Sequence, residues 1–167
     1  LLDYLDQHNL ISKQQHGFLK KHSTTINILS SLNDWTLSMH NHRSVVIAYI
    51  DFQRAFDAIS HTKLIFKLSH YGIDGNLLFW IQAFLTNCSQ CVKVNATMSS
   101  YLPISSGVPQ GSVIGPLLFT LFINDITDLF DSPTKAILFA DDIKIYSEIK
   151  LPPDAIQFQN YLDAVHS

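Results

Sequence analysis

Two apolar runs that end in aspartate constrain this 167-residue chain more than any other feature. "SVVIAYIDF" (44–52) is β-branched and aliphatic apart from Tyr49, the pattern of a central strand buried on both faces, and it closes around Asp51. "TKAILFADDIKIYSEI" (134–149) reads as a strand, a tight turn and a second strand, with Asp141 and Asp142 at the bend. Alternation puts Ile137, Phe139 and Asp141 on one face and Leu138 and Ala140 on the other, so Asp141 is predicted at the tip of a buried hairpin. Two-residue turns favour Asn-Gly or Asp-Gly. An Asp-Asp turn has no glycine and sets like charges side by side, so turn chemistry does not explain the pair.

A cation would explain it. Carboxylates at the ends of adjacent strands form a hard oxygen site for Mg²⁺, which keeps some waters and takes further ligands from substrate phosphates. Two such ions about 3.5–4 Å apart activate an attacking hydroxyl and stabilise the oxygen leaving phosphorus. Asp51 is the best candidate for the third acid, because it ends its strand as Asp141 ends the later one. Each acid also has a plainer reading, Asp51 as a strand cap and Asp141-Asp142 as a solvated turn. Spacing alone leaves both open.

The remaining sequence supports one globular α/β domain without repeats or linkers. A hydrophobic share of 47% is ample for a core, and no apolar run approaches the roughly 20 residues a bilayer requires. No signal-peptide pattern opens the chain, and Cys88 and Cys91 cannot build a disulfide framework or, without a second Cys or His pair, a zinc site. A soluble, intracellular protein with no membrane partner is the expectation. The net charge of -3 argues mildly against a dedicated nucleic-acid binder, although metal-holding acids lower the total without describing the surface that meets substrate.

Ser23 or Thr24 caps a predicted helix over 24–40 with Ile26, Leu29, Leu32 and Met39 on its apolar face. Ser60 caps another carrying Leu64, Leu68 and Tyr71, and "NLLFWIQAFL" supplies a further helix. A hairpin is expected around "SQCVKVNATMSSYLPISSG". After it come a loop punctuated by Gly107, Pro109, Gly111 and Gly115, a helix with Pro116 at its first position, and a tail that begins one more helix. Trp35 and Trp80 are assigned to the core.

Three long segments, "YIDFQRAFDAISH" (49–61), "SSGVPQGSVIGPLLFTLFIND" (105–125) and "ILFADDIKIY" (137–146), resemble in content and order the motifs of non-LTR retrotransposon reverse transcriptases. Weaker similarity runs from "LISKQQHGF" near position 10 to the tail. The resemblance implies an α+β fold: the palm and part of the fingers of a right-hand polymerase, with an antiparallel-rich sheet carrying the acids and packed against helices. Residues 1–43 would be partial fingers. Residues 44–167 would be palm, truncated before the thumb, so that the fragment alone is expected to be inactive.

Carried over by position, the resemblance implies that Asp51 and Asp141 bind two Mg²⁺ ions, or Mn²⁺ as the alternative, with Asp142 in support and the backbone carbonyl of Phe52 also reaching a metal. Phe56 matches the steric gate, a rigid ring under the incoming sugar that leaves no room for a 2′-hydroxyl. Gln110, with Gly111 beside it, matches the residue that packs on the incoming nucleotide, and Gln53 and Arg54 would offer backbone N–H groups to its triphosphate. The implied partners are an RNA template, a DNA primer and a dNTP; oligomeric state is not implied. Asp57 and His61 belong to the first motif, with capping or a structural hydrogen bond as their expected roles. Leu19 departs from the pattern, since many relatives carry Arg there, and Lys20 and Lys21 follow it. The alternatives are a remnant or captured nucleic-acid-binding module without catalysis, and a phosphohydrolase on another α/β fold. The latter would account for the acids but not for Phe56 and Gln110.

Overall fold

Residues 1–166 are described by a computed structural model, which divides into two compact units: Leu1–Phe52 with the chain from Ile123 onward, and Gln53–Phe122. The first unit is built on a sheet of three antiparallel strands, β1 (Ser44–Ile50), β6 (Lys135–Phe139) and β7 (Asp142–Ile149), in the order β1-β7-β6. The central strand is therefore β7, not β1 as its aliphatic run predicts. On β1, Ile47 and Tyr49 lie on the more open face, Tyr49 74% exposed, so the run is not buried on both sides. The β1–β7 register runs from Ser44↔Ile149 to Ile50↔Ile143. On β6 the outer edge is covered by a parallel bridge from Gln15 to Leu138, with Leu138 N donating to Gln14 O and His16 N to Leu138 O, both at 2.9 Å.

The hairpin also differs in detail from the expectation. β6 ends at Phe139, which pairs with Asp142, so the turn is Ala140-Asp141 and Asp142 is already the first residue of β7. Asp141 is in the turn itself and does not extend the face of Ile137 and Phe139. The repeated acids thus divide between a turn and a strand start.

Helix α2 (Thr24–His40) begins where predicted, with Ser23 Oγ accepting the Ile26 N–H at 3.2 Å. Its burial is inverted: Ile26, Leu29, Leu32 and Met39 are exposed, and the buried residues are Asn27 and Ser31. The cause lies across from it on β7. Lys144 is buried there, and its ammonium donates to Asn27 Oδ1 (3.2 Å) and Ser31 Oγ (2.7 Å) and lies 5.4 Å from the centre of the Trp35 ring. Burial holds the Lys144 pKa below the ordinary lysine value. A second polar group follows one turn on, where Asp34 Oδ2 accepts from Lys135 Nζ at 2.7 Å and Tyr146 Oη at 2.6 Å. Burial opposes the Asp34 charge, yet those hydrogen bonds outweigh it and leave the carboxyl below its usual range; burial first and Asp34 second raise the Tyr146 phenol. Arg43 and Ser38 extend the polar seam to Glu148.

The other face of β7 is apolar, with Ile143 and Ile145 nearly inaccessible along with Leu138 of β6. Helix α6 (Pro152–His166) packs on β7 and on the 3₁₀ turn Asn124–Leu129, burying Phe158. Helix α1 (Leu2–Gln7) buries Leu5, and Asn124 ties the following loop down, accepting from Ser12 N and donating to Leu10 O at 2.8 Å each.

In the second unit, α3 (His61–His70) and α4 (Gly75–Thr86) pack through Leu64, Leu68, Ile81 and Leu85, and Ser60 Oγ caps α3 at Lys63 N. The predicted hairpin is two nested pairs, β2 (Ser89–Gln90) with β5 (Leu102–Pro103) and β3 (Lys93–Val94) with β4 (Thr97–Met98). Helix α5 spans Gly115–Ile123, with Pro116 at its second residue, and buries Leu118, Phe119 and Leu121. Trp80 is 54% exposed and stacks on Phe84, so it is not a core residue; Trp35 is half-buried, edge-on to Tyr146.

Candidate active site

The acids are placed by strand register. The last β1–β7 pair is Ile50↔Ile143, so one step further Asp51 comes alongside Asp142, on the face opposite Ile50 and Ile143. Tyr49 and Lys144 form the next pair on that same face. Asp51 and Asp142 are exposed, and together with Tyr49, Lys144, Asn27 and Thr24 they line a cleft of about 450 Å³. Asp141 is half-buried in the adjoining turn and is not among the lining residues, while Phe52 is half-buried just beyond Asp51.

Among the described residues, no three His, Cys, Asp or Glu side chains gather closely enough to form a metal cage. The donors that are present suit a less complete site. Mg²⁺ is held by one or two carboxylates with water and substrate phosphates filling the other positions, and exposed aspartates at neighbouring strand ends fit that demand. The three acids are thus brought to one end of one sheet, Asp51 and Asp142 side by side and Asp141 next to them in the turn.

The second unit holds the other predicted residues. Gln53, Arg54, Asp57, Ser106 and Gln110 line a cleft of about 900 Å³. Residues 53–57 form a turn in which the N–H groups of Asp57 and Ala58 both reach Arg54 O at 2.9 Å, with Arg54 in the left-handed region at φ 53°. The loop carrying Gln110 is stitched to the end of this turn and the residues just after it. Gly107 N donates to Ile59 O (2.8 Å), Val108 N to Phe56 O (2.9 Å) and Ser106 Oγ to Asp57 O (2.8 Å), while the ring Nε2 of His61 is 2.7 Å from Gly107 O.

Gly107 makes this approach possible. Its φ is +85°, and a Cβ there would lie 2.7 Å from Asp57 Cα. Gln110 Nε2 donates to Asp57 Oδ1 at 3.2 Å, a structural hydrogen bond of the kind expected of Asp57. The His61 bond to Gly107 is the structural hydrogen bond expected of that residue. Phe56 stacks on Phe119 with ring centroids 4.4 Å apart and planes 22° from parallel, so its ring rests on a buried aromatic floor. Gly111 has φ +79° and open space around it.

The family described as "Reverse transcriptase (RNA-dependent DNA polymerase)" matches residues 1–166. The chain belongs to the reverse transcriptase family. Among curated relatives, it is 32% identical to the RNA-directed DNA polymerase from mobile element jockey of Drosophila melanogaster over 98% of its own length, and 29% identical to the probable RNA-directed DNA polymerase from transposon BS of the same organism over 97%. It spans 19% and 18% of those proteins. The fold agrees with solved telomerase structures. Telomerase from Candida tropicalis in its apo form superposes with a TM-score of 0.67 over 97% of this chain and 34% of that one, at 12% identity. Telomerase from Candida albicans, solved with a fragment of telomeric RNA, gives 0.65 over 98% and 30%, at 14% identity. This fold is the mixed helical and antiparallel architecture of a polymerase palm and fingers. A divalent metal is general to the reverse transcriptase family, and among the described residues no helix is long and apolar enough to cross a membrane.

Sequence reasoning missed Asn27, Ser31 and Lys144. Lys144 could have been found from its alternation with Ile143 and Ile145, which sets it on one face with Asp142, Tyr146 and Glu148. Asn27 and Ser31, one turn apart on α2, are the matching polar pair.

Proposed function

We propose that the protein containing this chain is an RNA-directed DNA polymerase of a non-LTR retrotransposon, with residues 1–43 contributing to the fingers and 44–167 to the palm. The observation that carries the reading is the β1–β7 register, which sets Asp51 beside the Asp141-Asp142 hairpin in a chain matched to the family along residues 1–166. When bound, two Mg²⁺ ions would lower the pKa of a primer 3′-hydroxyl and stabilise pyrophosphate as it leaves in an in-line displacement at the α-phosphorus of a dNTP. Asp51 and Asp141 are the residues that would hold them, with Asp142 in support and the Phe52 carbonyl as a further oxygen.

Each residue's own surroundings support the other roles that the resemblance implies. Phe56, backed by Phe119, is a ring that cannot easily recede, as exclusion of a 2′-hydroxyl requires. Gln110 is held at Asp57 and Gly111 leaves the backbone beside it open, which suits packing against an incoming nucleotide; Gln53 and Arg54 line the same cleft and offer backbone N–H groups to a triphosphate. The partners in this reading are an RNA template, a DNA primer and dNTPs. The alternative of a remnant without catalysis gains nothing from the relatives, which carry polymerase names.

Primer extension on an RNA template tests the proposal in a complete polymerase that contains this segment. Asp51→Asn and Asp141→Asn should each abolish extension, and extension at near wild-type rate in either variant would reject the assignment.

A further inference from the structure

Gln15 is 1% exposed and lies beside the end of β6, far in sequence from the acids. Its carboxamide oxygen accepts two backbone N–H groups, that of Gly17 at 2.7 Å and that of Ala140 at 3.1 Å. Ala140 is the first residue of the turn that carries Asp141, and it sits at φ 56°. A residue with a Cβ takes that left-handed conformation about tenfold less readily than the right-handed one, and the turn contains no glycine to relieve it.

The surroundings of Gln15 hold the end of β6 and, through Gly17, approach this turn. Its neighbours Gln14 and His16 share backbone hydrogen bonds with Leu138, and Asn27 Nδ2 donates to Leu138 O at 3.2 Å. A Cβ at Gly17 would lie 2.2 Å from Ala140 N, so the segment can approach the turn this closely only with glycine there. A buried carboxamide is normally satisfied at both ends, yet among the described residues Gln15 Nε2 has no hydrogen-bond partner. Only the accepting oxygen is used, and it is shared between the turn at Ala140 and the local Gly17 N–H.

We infer that Gln15 is a positioning residue for the paired-acid hairpin: by accepting the Ala140 N–H it holds that residue in the left-handed conformation, which fixes the direction of Asp141 and the start of β7 at Asp142. It touches neither acid and acts through the backbone. The consequence for metal binding rests on the function proposed above, whereas the grip on the turn does not.

The two are separable by NMR on the isotopically labelled 167-residue chain. In the wild type the Ala140 and Gly17 amides should exchange slowly with solvent. Gln15→Met keeps the volume but removes the acceptor; it should speed exchange at both amides about tenfold or more and move the Ala140 carbon shifts away from left-handed values. Adding Ala140→Gly should return the Asp141 and Asp142 shifts towards wild type without restoring protection at position 140. Gln15→Glu retains an accepting oxygen and should keep the protection, which decides the matter if Gln15→Met does not fold. In a Mn²⁺ titration read by broadening at Asp51, Asp141 and Asp142, Gln15→Met should weaken affinity about tenfold and the double variant should recover most of it. Unchanged exchange and shifts in folded Gln15→Met, or lost protection in folded Gln15→Glu, would overturn the inference. Absence of Mn²⁺ broadening in the wild type would instead overturn the metal role of the acids, leaving the exchange data to decide on Gln15.

Discussion

Asp51 and Asp142 owe their positions to a ladder, Gln110 to a loop sewn onto another loop. In the first unit Asp142 is paired with Phe139 and Asp51 is one step past the Ile50↔Ile143 pair, so the place of each follows from strand register and would survive changes of its own side chain. In the second unit the Gln110 loop depends on the carbonyls of Phe56, Asp57 and Ile59 and on a glycine with a backbone pressed against it. Chemistry carried by a ladder should therefore be lost without loss of fold, whereas chemistry carried by a stitched loop should be lost together with local stability.

The largest expected effect sits at the end of the ladder, in Asp51 and in the turn residue Asp141. In a complete polymerase, Asp51→Asn or Asp141→Asn should lower extension about a thousandfold or more, since several kcal/mol of charge stabilisation go with the metal ligands. The unfolding midpoint of this chain with the same changes should hardly move. A large drop in that midpoint would break the comparison, because the sheet would then depend on its acids.

Gly107→Ala should show the reverse. A forced contact with Asp57 combined with φ +85° should lower the stability of this chain by about 2–4 kcal/mol in denaturant unfolding, while Gly111→Ala, with open space at φ +79°, should remove about 1 kcal/mol. Equal effects of the two would show that the close approach at Gly107 is not what holds the loop.

Acid should reach the first unit through His16, whose pKa is held below the ordinary 6.5 by burial first, then by His22 and Lys144. As pH falls through 6.5 the unfolded chain takes up this proton before the folded one does, so His16 makes stability decline on the acid side and leaves it flat above. Thermal midpoints measured across that range should show the decline, and His16→Gln should flatten it. Ser23→Ala, which removes the N-cap of α2, should cost about 1 kcal/mol in the same unfolding measurement, as little as Gly111→Ala.

The contrast between the units also marks what the sequence could reveal. Alternation in "KAILFADDIKIY" and the aliphatic run before Asp51 announce the strands, and Ser23 and Ser60 announce helix starts, because these signals are local. That β7 rather than β1 is central was hidden, since an aliphatic strand can be an edge when part of one face is open, as Tyr49 shows. The apolar stripe of α2 misled for a physical reason: a buried Lys144 on the facing strand needs oxygens more than the helix needs to bury Leu29 or Met39. Asp57 to Gln110 and Gln15 to Ala140 are bonds between segments far apart in the chain, and no local pattern encodes such pairs.

The register that sets Asp51 beside Asp142 also makes β1 a counter that works in twos. Insertion or deletion of a single residue within Ser44–Ile50 would carry Asp51 to the face of Ile143, into the apolar core, while a change of two would slide it along but keep its side. Selection acting on this strand would then be blind to much of its composition and strict about its parity. Length variants of β1 in working relatives are expected to differ from it by even numbers.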